Sequence, residues 1–175
     1  MDNKKKKIVM IGVIVLLLII VGRPILWYCM RPDGSTMTRR EEMLNRLQEG
    51  THWTIVTERL LEDYIITGAV SDHGQSGIAV FEPKGNGKYR LQTHTRRDKD
   101  SIVICGSYIH EVWYDFSWFQ GAQIERAEIT YTVPGKASQS TTYLTDNSTI
   151  ICSPTPYKDY TLYVAYFDSD GNKYE

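Results

Sequence analysis

A mainly β domain, placed behind one transmembrane helix and a short juxtamembrane helix, is the fold class that this 175-residue sequence predicts. Three features carry that prediction. A lysine cluster leads into an apolar run at the N-terminus, and a single capped helical stretch follows it. From Trp53 onward the apolar residues recur with a period of two and are punctuated by turn residues. Twelve tyrosines add to the β signal, because aromatic side chains favour strands.

The first element is the membrane segment, at residues 1–30. Ile8 to Gly22 is an unbroken run of 15 apolar residues, and after Arg23-Pro24 it resumes from Ile25 to Met30. A bilayer needs about 20 apolar residues, so the spanning unit is residues 8–30, with Arg23 snorkelling to the headgroups. Trp27 and Tyr28 stand where an interfacial aromatic belt belongs. A cleaved signal peptide competes with the signal-anchor reading, but no small-x-small cleavage site follows the run. Lys4 to Lys7 favour an N-terminus inside the plasma membrane and a C-terminal domain outside it. Charge divides along the same boundary. Residues 1–31 carry a net +5 and the remainder −6, which argues against nucleic-acid binding by the body of the chain.

The second element is the juxtamembrane turn and helix, at residues 31–52. Pro32-Asp33-Gly34-Ser35 reads as a turn, and Thr38 with Glu41 has capping-box spacing. Gly50 is a stop, so the helix is expected over 39–49, with Met43, Leu44 and Leu47 as a narrow apolar stripe. That stripe fits a spacer laid on the β domain, or a contact helix for a partner.

The remaining elements make up an extracytoplasmic β domain at residues 53–175. Strands are expected at about 53–58, 63–70, 77–82, 88–96, 101–109, 111–119, 124–133, 140–145, 148–152 and 160–168. Asn86-Gly87 is a strong hairpin turn. Ala127, Ile129, Tyr131 and Val133 alternate with Glu128, Thr130 and Thr132, which marks one wet face. Thr161 to Phe167 is apolar on both faces, as in a central strand. Strands of this length and spacing predict an immunoglobulin-like β-sandwich, with a small barrel as the other arrangement.

The densest chemical feature is the run from Val112 to Gly121. Alternation puts Trp113, Asp115, Ser117 and Phe119 on one face, and Tyr114, Phe116 and Trp118 on the other. If the first face is open, Trp113, Asp115 and Phe119 form a ligand-binding patch of the kind on which sugar rings stack. If both faces are covered, the cluster is core. Asp115 with Glu125 or Glu128 raises a carboxylate pair for glycoside hydrolysis, which requires a defined separation inside a cleft.

Cys105 and Cys152 each close an apolar strand, and they stand either as a disulfide across the sheet or as two buried thiols. His52, His73, His94 and His110 share no metal-ligand spacing, so no metal or cofactor site is expected, and a zinc site would have to be assembled from distant strands. Asp168-Ser169-Asp170-Gly171-Asn172 reads as a hairpin turn rather than a calcium loop. Asn147-Ser148-Thr149 is a glycosylation sequon.

The segments Ile78 to Pro83, Gly85 to Tyr89, Trp113-Tyr114-Asp115, Trp118 to Gln123 and Tyr166 to Glu175 resemble small membrane-anchored extracytoplasmic proteins of Gram-positive bacteria. The resemblance implies a cell-envelope setting and brings no catalytic residues. The functional expectation is a membrane-tethered, non-catalytic interaction or sensor domain. Its partners would be the lipid bilayer through residues 8–30, and a protein or cell-wall glycan. A glycan-binding module is the second expectation and a hydrolase the third.

Overall fold

The computed structural model describes residues 33–98, 101–120, 124–144, 150–155 and 158–174. The apolar run at 8–30, Cys29 and the sequon at Asn147 lie outside them. Among the described residues no helix is long and apolar enough to cross a membrane.

Residues from Asp33 onward form one compact unit, so the juxtamembrane helix belongs to the same body as the strands. That helix, α1 (Met37–Asn45), starts two residues before the expected position. Thr36, not Thr38, caps it, and its hydroxyl accepts from the Arg39 amide at 3.3 Å. Glu41 does not reach back to close a capping box. Its carboxylate accepts from the Ile55 amide at 2.8 Å instead.

Among the described residues eleven strands follow, in three hydrogen-bonded antiparallel sheets. The first sheet is a meander of β1 (Trp53–Leu61), β2 (Tyr64–Ser71), β3 (Gln75–Gly85) and β4 (Lys88–Asp98), in that order. The second has β6 (Val112–Trp118) between β5 (Val103–Ile109) and β9 (Ile151–Pro154). In the third, β7 (Ile124–Thr132) and β10 (Thr161–Asp168) are central, flanked by β8 (Gln139–Leu144) and β11 (Lys173–Tyr174). Strand spacing had anticipated a mainly β, sandwich-like fold, and the antiparallel sheets have that character. The division into three sheets departs from the two of an immunoglobulin domain. Turn spacing counts strands but does not say which strands share a sheet.

Each face is built from alternation. Ile66, Ile78 and Val80 of the first sheet pack on Val103, Cys105, Ile109, Phe116 and Trp118 of the second. The other face of the first sheet carries Trp53, Ile55, Ala69, Ala79 and Phe81, which Leu44 of α1 covers. The opposite face of the second sheet meets the third through Phe119, Ile151, Ala127, Ile129, Val164 and Tyr166. The order of layers is therefore α1, first sheet, second sheet, third sheet. Asn86 (φ 54°) and Gly87 (φ 68°) make the β3–β4 hairpin with both turn residues left-handed, as that dipeptide predicts.

A buried polar network and an open cleft

Strand β6 places Trp113, Asp115, Ser117 and Phe119 on one face, as alternation predicts, but the face is closed. Asp115 and Phe119 are each 5% exposed, and Trp113 is half-buried. Phe119 stacks with tilted rings against Tyr166 at 5.8 Å and Tyr174 at 5.1 Å. The expected sugar-stacking patch of Trp113, Asp115 and Phe119 is thus interior, covered by the third sheet.

Asp115 is the centre of a buried polar network. Its carboxylate accepts from the Tyr160 hydroxyl at 2.9 Å, the Tyr131 hydroxyl at 3.1 Å and the Trp113 indole at 3.2 Å. A carboxylate so enclosed survives burial because each oxygen has donors. Burial first, and then the neighbouring Asp115 charge, pushes Tyr131 up to about 12 and Tyr160 well above its usual value. Two further hydrogen bonds tie the layers together. The Tyr166 hydroxyl donates to Ser117 at 2.9 Å, and Tyr143 and Ser153 share a hydrogen bond at 3.1 Å.

The carboxylate pair for hydrolysis does not form. Ala127 and Ile129 point into the core, so Glu128 between them faces outward, 3.6 Å from Arg126, and Glu125 is exposed. Asp115 faces inward, so the acids lie on opposite sides of the third sheet.

Of the two readings of Cys105 and Cys152, the structure shows the free thiols and not the disulfide. Cys105 and Cys152 are free, and they pair with Phe116 from opposite sides of β6. Two strand spacings separate their backbones by roughly 9–10 Å, beyond the reach of about 7 Å for a disulfide. Burial pushes the Cys152 thiol up to about 11 and raises that of Cys105, so neither is a reactive thiolate. Asp168 is consumed by its own hairpin, accepting from the Asp170 and Asn172 amides at 3.0 and 2.8 Å and from the Tyr174 hydroxyl at 3.0 Å. The turn reading of that segment holds.

An open concave feature lies elsewhere, between the turn that follows α1 and strand β4. It is a cleft of about 510 Å³ lined by Leu47, Gln48, Trp53, Leu91, His94 and Arg96, among others. That size falls within the usual range for small-ligand sites. Three buried polar atoms in its lining have no hydrogen-bond partner among the described residues: Trp53 Nε1, His94 Nε2 and Gln48 Oε1. Trp53 is 2% exposed, and its ring meets His94 edge-on at 5.2 Å. Burial, reinforced by the Arg96 charge, lowers the His94 pKa, so the imidazole is neutral at physiological pH. The cleft is thus walled by an indole, a neutral imidazole, an amide and an exposed guanidinium, with Trp53 Nε1, His94 Nε2 and Gln48 Oε1 themselves buried behind its surface. Sequence reasoning missed it because its walls come from the turn after a helix and from strands about 40 residues further along the chain.

Compared with known proteins, the chain matches no family model, no curated sequence and no solved structure.

Proposed function

We propose that this chain is a non-catalytic binding domain of the cell envelope, tethered to the plasma membrane through residues 8–30, and that its ligand site is the cleft between the turn after α1 and β4. One observation carries the reading. Three of the seven buried, unpartnered side-chain atoms among the described residues belong to side chains that line this one cleft, whereas buried polar groups in proteins are usually paired. A ligand fitting the cleft brings an anionic group for the exposed Arg96, and polar groups that Trp53, His94 and Gln48 meet once their side chains turn toward the cleft. The ligand class is thus a small organic anion with an apolar body that rests on Leu47 and Leu91.

The absence of catalysis is argued from the polar groups that enzymes employ. Asp115 is committed to three internal donors, and both thiols of the domain are held protonated by burial. The tether is argued from the Lys4–Lys7 cluster, the apolar run that follows and the aromatic pair Trp27-Tyr28.

The test is a fragment screen by NMR on the full chain in detergent, with the Trp53 indole proton and the His94 ring as reporters. Small carboxylates with an apolar body are expected to shift both signals. Arg96→Ala is expected to weaken them by about tenfold, the value of a charge-assisted hydrogen bond. Fragments that bind while leaving both reporters unmoved would place the ligand site elsewhere.

A further inference from the structure

The β1–β2 and β5–β6 hairpins belong to different sheets, yet their turns bring three metal-ligating side chains together. His110 Nε2 lies 3.1 Å from Glu62 Oε2 and 3.2 Å from Asp63 Oδ1. One ligand atom from each residue falls within 4.8 Å of the others. We propose that Glu62, Asp63 and His110 bind a divalent transition cation of the zinc class, which fastens the two hairpins to each other.

The spacing fits a shared ion. Zinc–ligand bonds of about 2.0–2.1 Å in a tetrahedron set neighbouring ligand atoms about 3.3–3.4 Å apart. The two histidine-to-carboxylate distances are close to that edge, and the remaining pair can close to it by rotating exposed side chains. The donor set is informative as well. One imidazole with two carboxylates suits zinc or manganese, whereas calcium and magnesium sites are built from oxygen. All three side chains are more than half exposed, which leaves the remaining coordination positions to water.

The imidazole is also oriented. The Tyr64 ring meets it edge-on, 5.5 Å between centroids and at 86°. Both turns present their ligands from left-handed backbone, Glu62 at φ 55° and His110 at φ 51°. Hairpin turns ordinarily fill such positions with glycine or asparagine. The competing account is a plain polar contact of His110 with the two carboxylates, with no metal bound.

The experiment titrates Zn²⁺ into the full chain in detergent, by calorimetry and by NMR of the histidine rings. The wild type is expected to take up one equivalent saturably, with the His110 ring resonances shifting. His110→Asn keeps a residue that tolerates left-handed backbone and removes the imidazole. That variant and Glu62→Gln are each expected to weaken binding by about tenfold or more, the scale on which even supporting contacts to a metal site act. Calcium is expected not to displace the Zn²⁺. Absence of saturable uptake by the wild type, or a Zn²⁺ shift that leaves the His110 ring unmoved, overturns the site. Undiminished uptake by His110→Asn overturns it as well. The His94 cleft is read by different resonances, so either proposal fails independently of the other.

Discussion

Asp115 gathers three donors from two strands and a loop, which makes it the residue whose loss the core can least absorb. Asp115→Ala strips the shared acceptor from Trp113, Tyr131 and Tyr160. It is expected to cost about 3 kcal/mol or more, measured by urea unfolding. The same network sets an alkaline limit. An unfolded tyrosine loses its proton near pH 10, whereas Tyr131 holds its proton to about 12 and Tyr160 is raised too. Between those values the folded chain binds more protons than the unfolded one. The stabilisation from Tyr131 is therefore complete below about pH 10 and is lost as pH rises to about 12, and Tyr160 adds to the loss in the same direction. The double variant Tyr131→Phe, Tyr160→Phe is expected to make that decline shallower in denaturant titrations across pH 9–13, the buried thiols and Tyr166 supplying what remains. Glycine carries a second residue-scale prediction. A Cβ on Gly68 would lie 2.7 Å from Trp118 and from Thr57, so Gly68→Ala forces a buried indole aside, for about 1–3 kcal/mol. Alternation along β6 placed Asp115 and Phe119 on a common face correctly. It could not show that the face was covered, because the cover is supplied by residues 124–174. A hydroxyl or carboxylate that looks solvated in a strand pattern is equally at home in the core when tyrosines supply donors.

The helix α1 serves as an edge guard as well as a lid. Strand β1 is the edge of its sheet, and its outward amides at Trp53 and Ile55 would be free to pair with another chain. The Asn45 side chain accepts from the first at 2.5 Å and Glu41 from the second at 2.8 Å. Arg40, 5% exposed, anchors the arrangement with two hydrogen bonds of 2.8 Å to Glu58, while Leu44 is fully buried against Trp53 and Phe81. Leu44→Ala is expected to cost about 2–5 kcal/mol. The double variant Glu41→Ala, Asn45→Ala should instead show concentration-dependent association through the uncovered edge, detectable by analytical ultracentrifugation; a strictly monomeric double variant would show that the edge needs no such guard. Sequence located this helix through Leu44 and its neighbours, but the helix ends at Asn45 with Arg46 as its C-cap, four residues before the end expected from Gly50. It misassigned the cap because Thr36 and Thr38 are equally good caps locally. The choice was made by Glu41, whose carboxylate is drawn away from the helix end by a strand amide that no local pattern reveals.

At the scale of the whole molecule, ten of the eleven strands follow from period-two alternation and turn residues, and the missed one, β11, has only two residues. Its brevity leaves no alternation to read, and its position is fixed by the Asp168 turn rather than by its own pattern. The stacking of three sheets was not legible, since it depends on which strand faces find each other. Stacking determines how the chain fails when shortened. Strand β10 is central in the third sheet, paired with β7 along its whole length, and Val164, Ala165 and Tyr166 are buried. A chain ending before residue 160 loses Tyr160 from Asp115, Tyr166 from Ser117, and the apolar cover of Phe119 and Ile129. Strands β7 and β8 are then left as an isolated hairpin, which is marginal in water. The cluster between the first and second sheets draws on neither β7 nor β10. The expected outcome is loss of amide protection throughout β7, β8 and β6, with β2 and β3 retaining measurable protection in hydrogen exchange. Protection lost everywhere at once would mean that the three layers fold as a single cooperative unit. Protection kept in β6 would mean that the second sheet stands without the third, and that Asp115 tolerates water on its open side.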